Sequence, residues 1–158
     1  MHRRIAVLAM FVLLLTPLSV YASGPCHGGH HPPDDGCPTF LKRLSPLELW
    51  NWRLEKMLAA DIDAVMCTYA PDAVVMMAGQ VMRGRDEIRA GLEMMFVFFP
   101  NGPTITMVTE AKGVLQVHFH AEGPMVTVPD GADTFVVGKR GLFEVQTVHS
   151  SMVPTVQQ

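Results

Sequence analysis

The stretch DIDAVMCTYAPDAVVMMAGQVMRGRDEI, residues 61–88, decides the fold. Asp61 suits an N-cap, since its carboxylate accepts free backbone N–H groups of the first helical turn. Ile62, Val65, Met66 and Tyr69 recur at three- and four-residue steps, which predicts a short helix through Tyr69 with one apolar face. Pro71-Asp72 ends it, because proline donates no amide and restricts the residue before it. Ala73 to Met77 then reads as an apolar strand and Gly79-Gln80 as a turn. Gly84 marks a break before a helix whose first turn carries Asp86 and Glu87, at the positive end of the helix dipole.

Upstream, Ser45-Pro46-Leu47-Glu48 has the form of a capping box with proline at the first helical position. Leu47, Trp50, Leu54, Met57 and Leu58 give that helix an apolar stripe, with Trp52 off it and free to meet another element. Downstream of Gly84, Ile88, Leu92, Met95, Phe96 and Phe99 share one side of the third helix until Pro100-Asn101-Gly102-Pro103 ends it. The period then falls to two. Strands are expected over Thr104–Glu110, Val114–Val128, Thr134–Val137 and Leu142–Met152, with turns at Lys112-Gly113, Pro129-Asp130-Gly131 and Gly138–Gly141. Helices first and strands after them make an α+β domain.

The phrases Asp61-Ile62-Asp63, Tyr69-Ala70-Pro71-Asp72-Ala73 and Gly84-Arg85-Asp86-Glu87-Ile88 carry a resemblance. Over roughly Ser45 to Val153 the chain resembles the SnoaL-like and ketosteroid-isomerase-like branch of the nuclear-transport-factor-2-like superfamily. The resemblance implies a cystatin-like α+β architecture: three N-terminal helices packed in a strongly curved antiparallel sheet, a cone with one open end. It also implies a small-molecule pocket inside the cone and a homodimer paired through the sheet. Trp50, Tyr69, Met77, Phe96, Phe119 and Phe135 are its expected walls. Steroid isomerases of that branch use a carboxylate base, with a tyrosine and a protonated aspartic acid as oxyanion donors. Here the base position falls on Met77, whose thioether takes no proton from carbon, and the helix-borne tyrosine position falls near Arg53. Only Asp133 matches, on the oxyanion side, which argues against that reaction but not against the fold.

Two catalytic candidates follow. Asp133 shares a strand face with Phe135 and Val137, which sets a carboxyl among apolar groups; the alternative is a solvated turn residue after Asp130-Gly131. His149 alternates with Phe143, Val145 and Thr147, so it looks into the cone as a general base or hydrogen-bond donor, or else is a satisfied core histidine. His118 and His120 fall on the opposite face from Val117 and Phe119, toward a dimer surface or solvent. Without a third ligand they make no metal site.

The N-terminus lies outside the fold. Arg3-Arg4, the apolar run Ile5–Leu15 and Val20-Tyr21-Ala22 form a signal peptide over residues 1–22, with a retained anchor as the alternative. A periplasmic or secreted location follows, with no membrane association after cleavage. Residues 23–44 form a flexible arm rich in Cys, His and Pro. Its Gly24–Pro38 cannot bury enough apolar surface to order itself. Cys26 and Cys37 can close a disulfide there, or with His27, His30, His31, Asp34 and Asp35 hold zinc or copper, or do neither. Cys67 reads as a small buried hydrophobe. The domain proper spans 45–153 and a short tail 154–158.

The chain has 12 basic and 15 acidic residues, and without residues 1–22 ten basic face fifteen acidic, a net of −5. Such a balance argues against nucleic acid. The expected function is an exported domain holding a small hydrophobic molecule in its cone, with proton transfer (isomerase-, cyclase- or hydrolase-like) as the chemistry open to it. No cofactor is expected. The alternatives are a non-catalytic binding or dimerisation module, or metal handling by the arm.

Overall fold

The computed structural model describes residues 36–155. The expected signal peptide, most of the expected arm with Cys26, and the last three residues lie outside them. Among the described residues, a 3₁₀ turn at Thr39–Arg43 leads into three helices: α1 (Pro46–Leu58), α2 (Ile62–Cys67) and α3 (Gly84–Phe98). The strands are β1 (Tyr69–Met77), β2 (Gln80–Arg83), β3 (Pro103–Ala111), β4 (Val114–Glu122), β5 (Val126–Val137), β6 (Phe143–Ser150) and β7 (Val153–Pro154). They form a curled, unclosed sheet in the order β2-β1-β6-β5-β4-β3, with β7 beside β5. The fold is thus α+β as expected, though β1 and β6 run parallel inside an otherwise antiparallel sheet. No described helix is long and apolar enough to cross a membrane.

The caps form as the residue types dictate. The Ser45 hydroxyl accepts from the Glu48 amide while the Glu48 carboxylate accepts from the Ser45 amide, and Asp61 accepts from the Ala64 amide. Within α1 the buried stripe is rotated from the expected one. Leu49, Trp50 and Arg53 are buried, whereas Leu47 and Leu58 are exposed. Trp52 does meet another element, edge-on to Phe40 with Lys56 over its face.

Residues 61–88 fold with two differences. α2 stops at Cys67, and Tyr69 opens β1 instead of closing the helix. A bulge between Tyr69 and Val74 absorbs Pro71 and Asp72, where a missing amide does least harm to the ladder. Past the turn the chain pairs back as β2, which the sequence reading lacked, being too short to show alternation. Gly84 then takes φ 74°, with Pro71 O 3.3 Å from where a Cβ would stand. Arg85 donates from Nε (2.9 Å) and Nη2 (2.8 Å) to Tyr69 O and fastens α3 to β1.

The expected strand Val114–Val128 breaks at Gly123–Met125, and the expected turn Pro129-Asp130-Gly131 lies inside β5. Phe119 pairs with Gly131 and Ala121 with Val128, so Pro129 and Asp130 sit in a bulge. Gly131 is needed opposite Phe119, whose ring atoms lie 2.5–2.9 Å from any Cβ built there. Cys67 is no isolated hydrophobe. It is bonded to Cys37, with the Cα atoms 5.3 Å apart, so the last residues of the arm are tied to the end of α2.

Candidate functional site

Inside the curl, α1, α3 and the inner sheet face enclose a cavity of about 100 Å³. Its walls are apolar almost throughout, with Met57, Met77, Met82, Leu92, Met95 and Phe96 prominent. Four polar side chains reach it, each from a different element: Arg53 from α1, Tyr69 from β1, Asp133 from β5 and Gln146 from β6.

Three of them, Tyr69, Gln146 and Asp133, form one hydrogen-bonded chain. The Tyr69 hydroxyl donates to Gln146 Oε1, which turns the amide so that Nε2 donates to Asp133 Oδ2 at 3.0 Å. The other carboxyl oxygen, Oδ1, is sealed from solvent with no hydrogen-bond partner among the described residues. Burial pushes Asp133 up to about 7, against the opposing pull of the Arg53 charge and the Gln146 hydrogen bond. Burial also raises Tyr69 to about 12, so its hydroxyl stays a donor. Because Oδ2 is occupied as an acceptor, the acid proton belongs on Oδ1. The cavity therefore presents a carboxyl that is neutral or ionised near physiological pH.

Arg53 is 2% exposed. The faces of Tyr69, Phe135 and Trp50 surround its guanidinium carbon at 4.9, 5.6 and 6.0 Å. Such faces favour a cation without accepting in-plane N–H groups, and Nε and Nη1 have no hydrogen-bond partner among the described residues.

Of the residues singled out by sequence, Trp50, Tyr69, Met77, Phe96, Phe119 and Asp133 line the cavity together. Asp133 is not a solvated turn residue. Phe135 is displaced by one layer: wholly buried, it stacks at 5.0 Å on Trp50 and 4.8 Å on Phe143 behind the wall. His149 is exposed and stands outside the cone. The cause is a bulge, since Val136 pairs with Val145 but Val137 with Phe143. The extra residue, Glu144, shifts the alternation, so Phe143, Gln146 and Val148 face inward and His149 does not. Arg53 entered the sequence reading only as a departure, and Gln146 not at all. A charged residue three positions after a buried tryptophan on an apolar stripe was the available signal for Arg53; Gln146 had none without the bulge. Among the described residues no three His, Cys, Asp or Glu side chains cluster for a metal.

The family model for the SnoaL-like domain matches residues 50–145, which take in Arg53, Tyr69 and Asp133 but stop one residue short of Gln146. Solved structures share the fold. An NTF2-like protein of unknown function from Burkholderia xenovorans LB400 is 17% identical with a TM-score of 0.60, over 70% of this chain and 86% of its own. A SnoaL-like protein of unknown function from Burkholderia thailandensis E264 is 14% identical with a TM-score of 0.57, over 67% and 94%. A candidate polyketide cyclase from Sinorhizobium meliloti is 20% identical with a TM-score of 0.56, over 65% and 94%. At these identities the likeness is one of fold. No curated protein matches the chain by sequence.

Proposed function

Since this chain belongs to the SnoaL-like domain family, whose fold hosts unrelated chemistries, we propose that its cone holds a small hydrophobic molecule and that Asp133 exchanges a proton with it. The observation that carries this reading is Asp133, a carboxyl at the wall of an apolar cavity whose buried Oδ1 has no hydrogen-bond partner among the described residues. A carboxyl that titrates near 7 serves as acid or base with little free-energy cost at neutral pH. Gln146, held by Tyr69, fixes its orientation.

Native mass spectrometry of the full chain purified from its producing cells tests the binding half, with a retained organic mass expected. Leu92→Trp, which fills the cavity, should expel it. Solvent deuterium incorporation into the extracted molecule tests the proton transfer, expected with wild type and lost in Asp133→Asn. A second reading, binding without turnover, is favoured by Met77 standing where the family's base stands and by Asp133 being the one carboxyl at the wall among the described residues. Retention without deuterium exchange decides for it; no retained mass, with Leu92→Trp indifferent, defeats both readings.

Export accompanies the proposal. The Cys37–Cys67 bond suits an oxidising compartment, and Val20-Tyr21-Ala22 suits a cleavage site. N-terminal sequencing of the mature protein should begin at Ser23. An intact, reduced cytosolic chain contradicts export.

A further inference from the structure

The geometry points to a ligand with an anionic oxygen: a small, mostly apolar molecule bearing a carboxylate or enolate, held by the guanidinium of Arg53. This rests on the reading of the cone as a ligand site and goes beyond it by naming the charge of the ligand.

Arg53 is buried at the cavity wall, and two of its N–H groups lack acceptors among the described residues. A buried donor without an acceptor is costly, more so on a charged group, and three aromatic faces offset only part of that cost. Asp133 does not answer it. Its Oδ2 accepts from Gln146, its Oδ1 has no partner, and no ion pair joins it to Arg53 among the described residues. One ligand group completes both. An oxygen carrying negative charge accepts from Arg53, and the same or a geminal oxygen accepts a hydrogen bond donated by the protonated Asp133 carboxyl. The planar guanidinium suits a carboxylate or the delocalised oxygen of an enolate, where a lysine offers only a point charge. Apart from Tyr69 and Gln146, already bonded to each other, the remaining wall offers side chains such as Met57, Met82, Leu92 and Ile105, which accept an alkyl or aryl body and no second charge.

The experiment titrates the full chain at pH 6 with 4-phenylbutyrate and its neutral isostere 4-phenylbutyramide. Binding is followed calorimetrically and by the methyl signals of ¹³C-labelled methionines. Wild type should bind the acid at least tenfold tighter than the amide. Arg53→Met should erase that preference while amide binding stays within twofold, and Arg53→Lys should keep part of it. Equal binding of acid and amide by wild type, or a preference that survives in Arg53→Met, overturns the anionic ligand and leaves the cone reading standing. No binding of either probe, with unmoved methionine signals, overturns both. Should Arg53→Met fail to fold, the acid–amide comparison in wild type and in Arg53→Lys still decides.

Discussion

Arginine stands near aspartate both at the Arg140–Asp72 contact on the surface and at Arg53 and Asp133 in the cavity, and the same residue types behave oppositely. On the surface, Arg140 Nη2 donates to Asp72 while its Nε lies 3.6 Å from Glu144; the side chains of Arg140 and Asp72 are 46% and 73% exposed. There the hydrogen bond from Arg140 holds Asp72 below the usual carboxylate range. At the cavity, Asp133 lies near Arg53 without touching it, and burial overcomes the cation and lifts the carboxyl to about 7. Solvent makes the difference. In water a carboxylate keeps its charge at no cost and a cation adds a little; in the cone, losing water outweighs what the cation returns.

The sharpest break in that contrast is Asp133→Asn. A folded-state value raised above the unfolded one means that the native state holds the proton more tightly. Its stabilisation is therefore full below pH 3.8 and lost as pH rises through about 7. A rise from 3.8 to about 7 corresponds to at most about 4 kcal/mol. Urea unfolding at pH 4 and pH 8 should show wild type losing much of that amount across the interval while Asp133→Asn stays flat on this account. Parallel losses in both proteins contradict a buried, proton-holding Asp133.

Next in size is the covalent hold on the exterior. Cys37–Cys67 closes a loop across a sequence separation of 30, worth about 3.5 kcal/mol in the chain-entropy account. Cys67→Ala should lower the unfolding free energy by a comparable amount, and reduction of wild type should do the same. The methyl signals of Met82 and Met95 at the cavity should stay in place. A loss of those signals means that the bridge supports the cone itself.

What the sequence made legible divides along the same line. The caps at Ser45 and Asp61, the break at Gly84 and the order of helices before strands depend on near neighbours, so they can be read from composition and spacing. Asp133 was legible too, because it sits on an uninterrupted run with Phe135 and Val137. His149 was misplaced because alternation was carried through Glu144, where a bulge consumes one residue. Pro129-Asp130-Gly131 was misread as a turn for a related reason: whether a glycine ends a strand or makes room for Phe119 depends on a partner from another strand. The Cys37–Cys67 pairing likewise depends on where α2 comes to rest.

A smaller effect tests whether Arg53 reaches Asp133 through space. Arg53 lowers the Asp133 value against burial, so Arg53→Met should move its titration above 7, and Arg140→Met should leave it unmoved. Besides Asp133, Arg53 and Tyr69 are the ionisable groups at that wall among the described residues, and Tyr69 stays protonated through the range. Carboxyl ¹³C chemical shifts against pH give both answers. An unmoved Asp133 in Arg53→Met means that the cation is screened from it.

The smallest effect belongs to the surface pair. Arg140→Met breaks its contacts with Asp72 and Glu144, yet water replaces them, and exposed pairs contribute about 0–1 kcal/mol. Asp72 has a lowered value, so its contribution is present above the unfolded value and fades as pH falls through the folded one. Wild type and Arg140→Met should therefore differ by less than about 1 kcal/mol at pH 7. The gap should shrink in molar salt, where the screening length drops to about 3 Å, and close toward pH 3. A gap that survives both molar salt and acid is not electrostatic. It belongs instead to the apolar stem of Arg140, and the contrast between the two arginine–aspartate regions then no longer rests on solvent.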